Sequence, residues 1–316
     1  MSSLVHSTIQ STIQPINNLP SVSIVTITQF GRFESFQILY DLIHKQSYTN
    51  IQEWIIVEGS KSEIDAAQNE ELILNFLENK HDENRNSIKS SVNIPLSNYI
   101  YLPYTGNQLG ELRNLGNSAC TSDVIVCMDD DDYYPPSRIS HAVELLYSQY
   151  TDTTQMIGGS SDLYIFDFFL GKLYKYQANG GFGPYHSTNN CMAYKREYLN
   201  DNQHDSLVAS GEEPSFTKNF TNPMVQFDPL QTIIGISHSS NTFNKRNLCI
   251  GGSLGIYPFM KEVNEPIERY IPQDIYNKMK SAYYKDSSDG PFTIEELLQQ
   301  NHKTIHFLEK YKQQNY

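Results

Sequence analysis

Residues 123–136 read DVIVCMDDDDYYPP. After Asp123 the run VIVCM is apolar and largely β-branched, as in a strand buried on both faces. Four aspartates, Asp129, Asp130, Asp131 and Asp132, follow at once, and Pro135 and Pro136 lead into a helical pattern over 137–149. Ligands of open α/β sheets gather outside the carboxyl ends of the strands. The stretch therefore predicts both a sheet and the place of its ligand. Four adjacent carboxylates are costly there unless something positive joins them. Carboxylate oxygens are hard donors suited to Mn²⁺ or Mg²⁺, and a diphosphate is able to complete the coordination. The competing reading is a solvated acidic loop.

Upstream the same unit repeats. Residues 21–28, SVSIVTIT, form a strand, Gly31 and Arg32 turn the chain, and 33–45 carry Phe36, Leu39, Tyr40 and Ile43 on one helical face. Residues 53–58, EWIIVE, form a second strand before Gly59 and Ser60, and 62–79 a helix. A short strand over 99–102 and a helix over 108–119 complete the series. Strand alternating with helix predicts an α/β fold with a mostly parallel central sheet flanked by helices. Beyond residue 150 the pattern changes. Residues 155–165 and 172–177 read as antiparallel strands about Gly171, and NGGFG at 179–183 as a loop. Further strands are predicted over 188–194 and 231–237, residues 251–255 are Gly-rich, and helices are predicted near 272–284 and 293–312.

The chain has 316 residues, a formal charge of -13 and no long Lys/Arg run, which argues against nucleic acid as a partner. Apolar residues make up 39%, enough for a sizeable core. Cys120, Cys127, Cys191 and Cys249 show no CxxC pair and no zinc-like spacing, so a reducing, cytoplasmic-type compartment is expected. The N-terminus lacks the pattern of a signal peptide, and no apolar stretch is long enough for a membrane span. Abundant Asn, Gln, Ile, Lys and Tyr suggest an AT-rich genome of giant-virus or protist type.

Four elements in order carry a resemblance: the strand SIVTIT, the turn Val57-Glu58-Gly59-Ser60, the set Gly110, Arg113, Asn114 and Gly116 within NQLGELRNLG, and DDDD followed by YYPP. Over about residues 20–242 the chain resembles the inverting GT-A glycosyltransferases of family 2. The family more often shows Asp-Asp-Gly-Ser at the second turn; this chain is one residue shorter and uses Glu. The resemblance implies a GT-A fold and transfer from a nucleotide sugar, a UDP-sugar by family frequency. The acceptor is the hydroxyl of a glycan, protein or small molecule, and the reaction inverts the anomeric centre with a divalent metal. It assigns Thr28 and Glu58 to the nucleotide, Glu58 at the base, and Arg113 to the base or to neighbouring carboxylates. Asp129 faces the ribose and Asp131 the metal, with Asp130 and Asp132 as the shifted register and Asp129 and Asp132 as further metal candidates. GEEPSF at 211–216 resembles the element that carries the catalytic base, with Glu213 favoured over Glu212. His238 is an additional metal ligand, Lys245 and Arg246 cover the diphosphate, and His186, Asn189 and Asn190 lie on the acceptor side.

The expected organisation is a lead-in over 1–20, a catalytic domain over 21–264 and a helical extension over 265–316. Within the domain, 21–135 form the nucleotide half and 136–264 the acceptor half. A homo-oligomer stays open. Two rival readings remain: a sugar nucleotidyltransferase, for whose triphosphate loop TQFGRF at 28–33 is a poor match, and a carbohydrate-binding or structural protein that kept the fold without the chemistry.

Overall fold

The computed structural model describes residues 19–86, 99–103, 108–148, 152, 154–177, 183, 185–238, 241 and 243–284. Most of the expected lead-in and the helix near 293–312 lie outside them. Along the chain the elements are β1 (Val22–Thr28), α1 (Phe33–His44), β2 (Ile51–Glu58), α2 (Glu63–Asn86), β3 (Tyr99–Leu102), α3 (Leu109–Ala119), β4 (Val124–Cys127) and α4 (Arg138–Leu146). There follow β5 (Ile157–Gly159), β6 (Asp162–Asp167), β7 (Lys172–Gln177), β8 (Ala193–Lys195), α5 (Glu213–Phe216), β9 (Met224–Gln226) and α6 (Pro229–Thr232). The last are β10 (Ile234–Ser237), α7 (Lys245–Ser253), β11 (Met260–Val263) and α8 (Gln273–Tyr283).

A seven-stranded sheet runs in the order β3-β2-β1-β4-β8-β5-β9. Strands β3, β2, β1 and β4 are parallel neighbours, as the repeating unit predicts. Strand β8 enters antiparallel between β4 and β5. Alternate residues of the central strands feed two cores. Ile24, Trp54, Ile56, Val124 and Val126 join one cluster, and Val25, Ile55, Val57, Ile125 and Cys127 the other. That double burial explains why these strands read as continuous apolar runs. Helices cover both faces: α1 and α4 contribute Phe36, Leu39, Ile139 and Val143 to the first cluster, and α3 contributes Leu112 to the second.

The second half departs from a single sheet. The run predicted as one strand over 155–165 splits at Ser160 and Ser161, so β5 stays in the main sheet while β6 starts a separate four-stranded sheet, β10-β6-β7-β11. The hairpin of β6 and β7 does form about Gly171, where Asp167 Oδ1 accepts from the Leu170 amide at 2.8 Å. Residues 189–191 make a 3₁₀ turn ahead of a three-residue β8, and the Gly-rich stretch begins inside α7. Helix α8 buries Ile275 and Met279 in the first core cluster. All four cysteines are buried and unpaired. Among the described residues no helix is long and apolar enough to cross a membrane.

Candidate active site

The carboxyl ends of β1, β2 and β4, together with residues 188–190 and 209–213, border a cavity of about 580 Å³. That is within the usual size of a small-molecule site, roughly 300–1,000 Å³. Helix α3 sets its floor. A Cβ on Gly116 would come within 2.6 Å of a Val25 methyl, so the helix lies directly on β1. A Cβ on Gly110 would meet the Asp205 carbonyl oxygen at 2.0 Å, so the 205–211 loop lies directly on the helix. Asn114 clamps the same loop, donating to the His204 carbonyl at 2.8 Å and accepting from its amide at 2.9 Å.

Each cluster aspartate is met by a different part of the chain. Arg113 holds Asp129 in a two-pronged pair, at 2.6 and 3.1 Å. Arg32 contacts Asp130 at 2.9 Å and Asp131 at 3.4 Å. Lys245 contacts Asp132 at 2.9 Å. The positive groups that four adjacent carboxylates require are thus largely built in. Burial pushes the Asp130 carboxyl up to about 7 despite Arg32. Burial opposes ionisation of Asp131 too, but Arg32, Lys245 and the hydrogen bond with His238 outweigh it and hold this carboxyl well below the usual carboxylate range. Asp132 is fastened on both oxygens, accepting from the Ile236 amide at 2.7 Å and Asn190 Nδ2 at 2.6 Å as well as from Lys245.

His238 stands behind Asp131, with Nε2 at 3.4 Å from Asp131 Oδ2. The side-chain nitrogen of Asn241 lies between them, at 2.8 Å from His238 Nε2 and 3.1 Å from Asp131 Oδ2. Among the described residues no group of three or more His, Cys, Asp or Glu side chains is placed to hold a metal ion.

Across the cavity, Glu212 and Glu213 open α5. Arg113 Nε reaches Glu212 Oε1 at 3.4 Å, so one guanidinium joins the acid pair to Asp129. The Asn189 amide donates to Glu213 Oε1 at 3.2 Å. Burial, reinforced by the charge of Glu212, pushes the Glu213 carboxyl up to about 7. His204 backs the pair, stacked on Phe216 at 4.1 Å with Nδ1 facing the Glu212 carbonyl at 3.3 Å. Burial lowers its pKa to about 3, so it stays neutral and its Nδ1–H donates.

Thr28, Arg113, Asp129, Asp131, Asp132, Glu212, Glu213 and Lys245, all singled out in the sequence, border this one cavity. Asn189 and Asn190 do so too. Others are directed elsewhere. Glu58 is fully buried, accepting from the Ser60 amide at 2.7 Å, Asn69 at 2.8 Å and the Tyr101 hydroxyl. It does not border the cavity and holds the β2 turn in shape. Arg246 turns away from Lys245 to Asp167, at 3.2 Å. His186 is packed between Tyr176 and Phe220, and burial lowers its pKa to about 4. Sequence reading missed Arg32 and Asn241. Arg32 sits just past β1, at the same sheet edge as the aspartates, and that position was the available signal.

The profile of glycosyl transferase family 2 matches residues 39–203. No curated protein sequence matches the chain. Among solved structures, TarS 1–349 of S. aureus in complex with UDP-GlcNAc is 14% identical with a TM-score of 0.43, over 70% of this chain and 60% of that one. The chain thus spans about 60% of the length of that TarS chain. The mannosyltransferase PcManGT of Pyrobaculum calidifontis, in complex with GDP-Man and Mn²⁺, is 13% identical with a TM-score of 0.48, over 94% and 83% of the two chains.

Proposed function

Since the chain belongs to glycosyl transferase family 2, with more than half of it matched, we propose that it transfers a sugar from a nucleoside diphosphate donor to a hydroxyl acceptor, with inversion, on a GT-A fold. The observation that carries this reading is a single cavity bordered by the aspartates after β4 on one side and by Glu213, with its carboxyl near 7, on the other. A general base works best when its pKa lies near the operating pH. The acceptor oxygen attacks the anomeric carbon, the bond from that carbon to the diphosphate oxygen breaks, and the hydroxyl proton passes to Glu213. The nucleoside diphosphate leaves with the bonding electrons. The Asn189 amide fixes Oε1 of Glu213, which leaves Oε2 for the acceptor. Lys245 and Arg32 stand beside the aspartates with positive charge for the diphosphate. Thr28 and the neighbouring Gly59 border the nucleotide end, with UDP as the first nucleotide to test.

Asp131 and His238 fit a divalent cation, Mn²⁺ or Mg²⁺. Asp131 is held ionised, and one amide nitrogen already occupies the gap between its Oδ2 and the imidazole Nε2 as a cation would. Such ions are commonly bound through one or two protein ligands plus substrate phosphates. When bound, the ion supplies charge compensation for the departing diphosphate.

The test is a panel of nucleotide sugars assayed for donor hydrolysis and acceptor transfer with and without Mn²⁺, with the product anomer read by NMR. Metal-stimulated transfer with inversion is expected. Retention of the anomeric configuration, or no reaction and no nucleotide binding with any donor, would reject the proposal.

A further inference from the structure

The cluster histidine is packed against an element that the sequence set apart as an extension. Tyr283, the last residue of α8, stacks on His238 with ring centroids 4.4 Å apart and planes 14° from parallel. The tyrosine is itself braced, with the Phe168 ring at 6.0 Å and Tyr276 beyond it at 5.5 Å from Phe168. Phe168 follows β6 directly, so the second sheet and α8 together set the angle of the Tyr283 ring. Helix α8 is anchored by Ile275 and Met279 in the main core, and by exposed pairs Lys45–Asp274 and Lys278–Asp41 to α1. The position of Tyr283 is therefore fixed by the fold and not by the cavity.

An imidazole has two soft torsions, and its lone pair points at a neighbouring ligand only when the ring plane is held. Metal-bound histidines are usually oriented by a hydrogen bond through their other nitrogen. Here a stacked ring lies against the whole imidazole face. We propose that Tyr283 is a positioning residue for divalent-metal binding: its ring fixes the plane of His238, so that Nε2 addresses Asp131, and α8 thereby completes the donor site from outside the stretch matched by the family. The inference rests on the reading of Asp131 and His238 as metal ligands and is tested so that the two fail separately. Burial and the nearby carboxylates of Asp131 and Asp130 hold the Tyr283 phenol well above its ordinary pKa, so it stays neutral beside the cluster.

The experiment uses the full chain and a binding readout without turnover. Mn²⁺ is titrated in the presence of UDP, and in parallel GDP, with free Mn²⁺ followed by electron paramagnetic resonance. Y283F and Y283H keep a stacking ring; Y283L and Y283M keep bulk without one. Metal affinity should sort by the ring. The first pair should stay within a few-fold of the parent, and the second should lose about tenfold or more, the scale of lost ligand orientation. Nucleotide affinity without metal should be unchanged in all four. Loss in all four variants, or in none while H238A is weakened, overturns the role of Tyr283. An H238A protein that binds Mn²⁺ like the parent overturns the metal reading itself, and this inference with it.

Discussion

Replacing Glu213 by Gln removes a charge at nearly constant shape, and two consequences can be worked out. The carboxyl stands near 7 against an ordinary 4.5, because it is buried beside Glu212. Each pH unit corresponds to about 1.4 kcal/mol, so ionising Glu213 within the fold costs at most about 3.5 kcal/mol. The sign follows from linkage. A carboxyl whose folded-state pKa is raised contributes stability that is full below about 4.5 and is lost as pH rises through about 7. The parent should therefore weaken across that window, and Glu213→Gln should lack this component. Asp130, also raised to about 7, titrates in both proteins and cancels in the difference. Urea unfolding at about pH 4 should give similar stabilities, and at about pH 8.5 the variant should be the more stable by up to about 3.5 kcal/mol. Transfer should fall by roughly 10²–10⁴, the contribution of a positioned base. Parallel stability curves across the window would show that Glu213 titrates as an ordinary glutamate. Near-normal turnover of the variant would remove it as the base.

Arg113→Met leaves Asp129 and Glu212 facing each other without their shared cation, and should cost about 3–5 kcal/mol in chemical denaturation. Arg113→Lys should recover only part of that, since one ammonium cannot reproduce the two-pronged pair. Asp131→Asn should weaken Mn²⁺-dependent UDP binding in calorimetry and also lower the melting temperature, since the ionised carboxylate that Arg32 and Lys245 favour stabilises the fold at neutral pH. Asp132→Asn should also lower the melting temperature by several degrees, because it weakens an acceptor for Asn190, the Ile236 amide and Lys245, but should leave Mn²⁺-dependent UDP binding nearly unchanged. Identical profiles for these two variants would refute the division of roles. Glu58→Ala should destabilise the protein by stripping three donors of their acceptor, and should reduce affinity for UDP and for pyrophosphate by equal factors; a loss confined to UDP would return Glu58 to the base.

The parallel strands were legible because burial on both faces leaves an unbroken apolar run, and the cavity's place followed from the aspartates that end one of them. The acid pair at 212–213 was legible by likeness of motif. What escaped depended on contacts across long separations. Arg32 meets Asp130 only because β1 and β4 are neighbours, and a single arginine after a glycine carries no periodicity. The stack of Tyr283 on His238 requires α8 to fold back over the second sheet. Strand β8, three residues long, is too short for any alternation to show, yet it brings Asn190 beside Asp132. For Glu58, the position at a strand end is visible in sequence, while its three donors, one of them Tyr101 on β3, are not.

The tight seat of the 205–211 loop on α3 bears on protein engineering. With no room for even one methyl group at residue 110, the loop and the helix behave as a single replaceable part. A chimera that imports another enzyme's acid-bearing segment between residues 205 and 216 must carry a glycine at 110 and an asparagine at 114 with it. Grafts confined to the loop would be mounted on a helix that cannot receive them, and would displace Glu212 from Arg113 before any new acceptor was offered. Ala209 and Ser210 border the cavity beyond Asp205 and Val208, the loop residues that touch Gly110, and are the places to vary first.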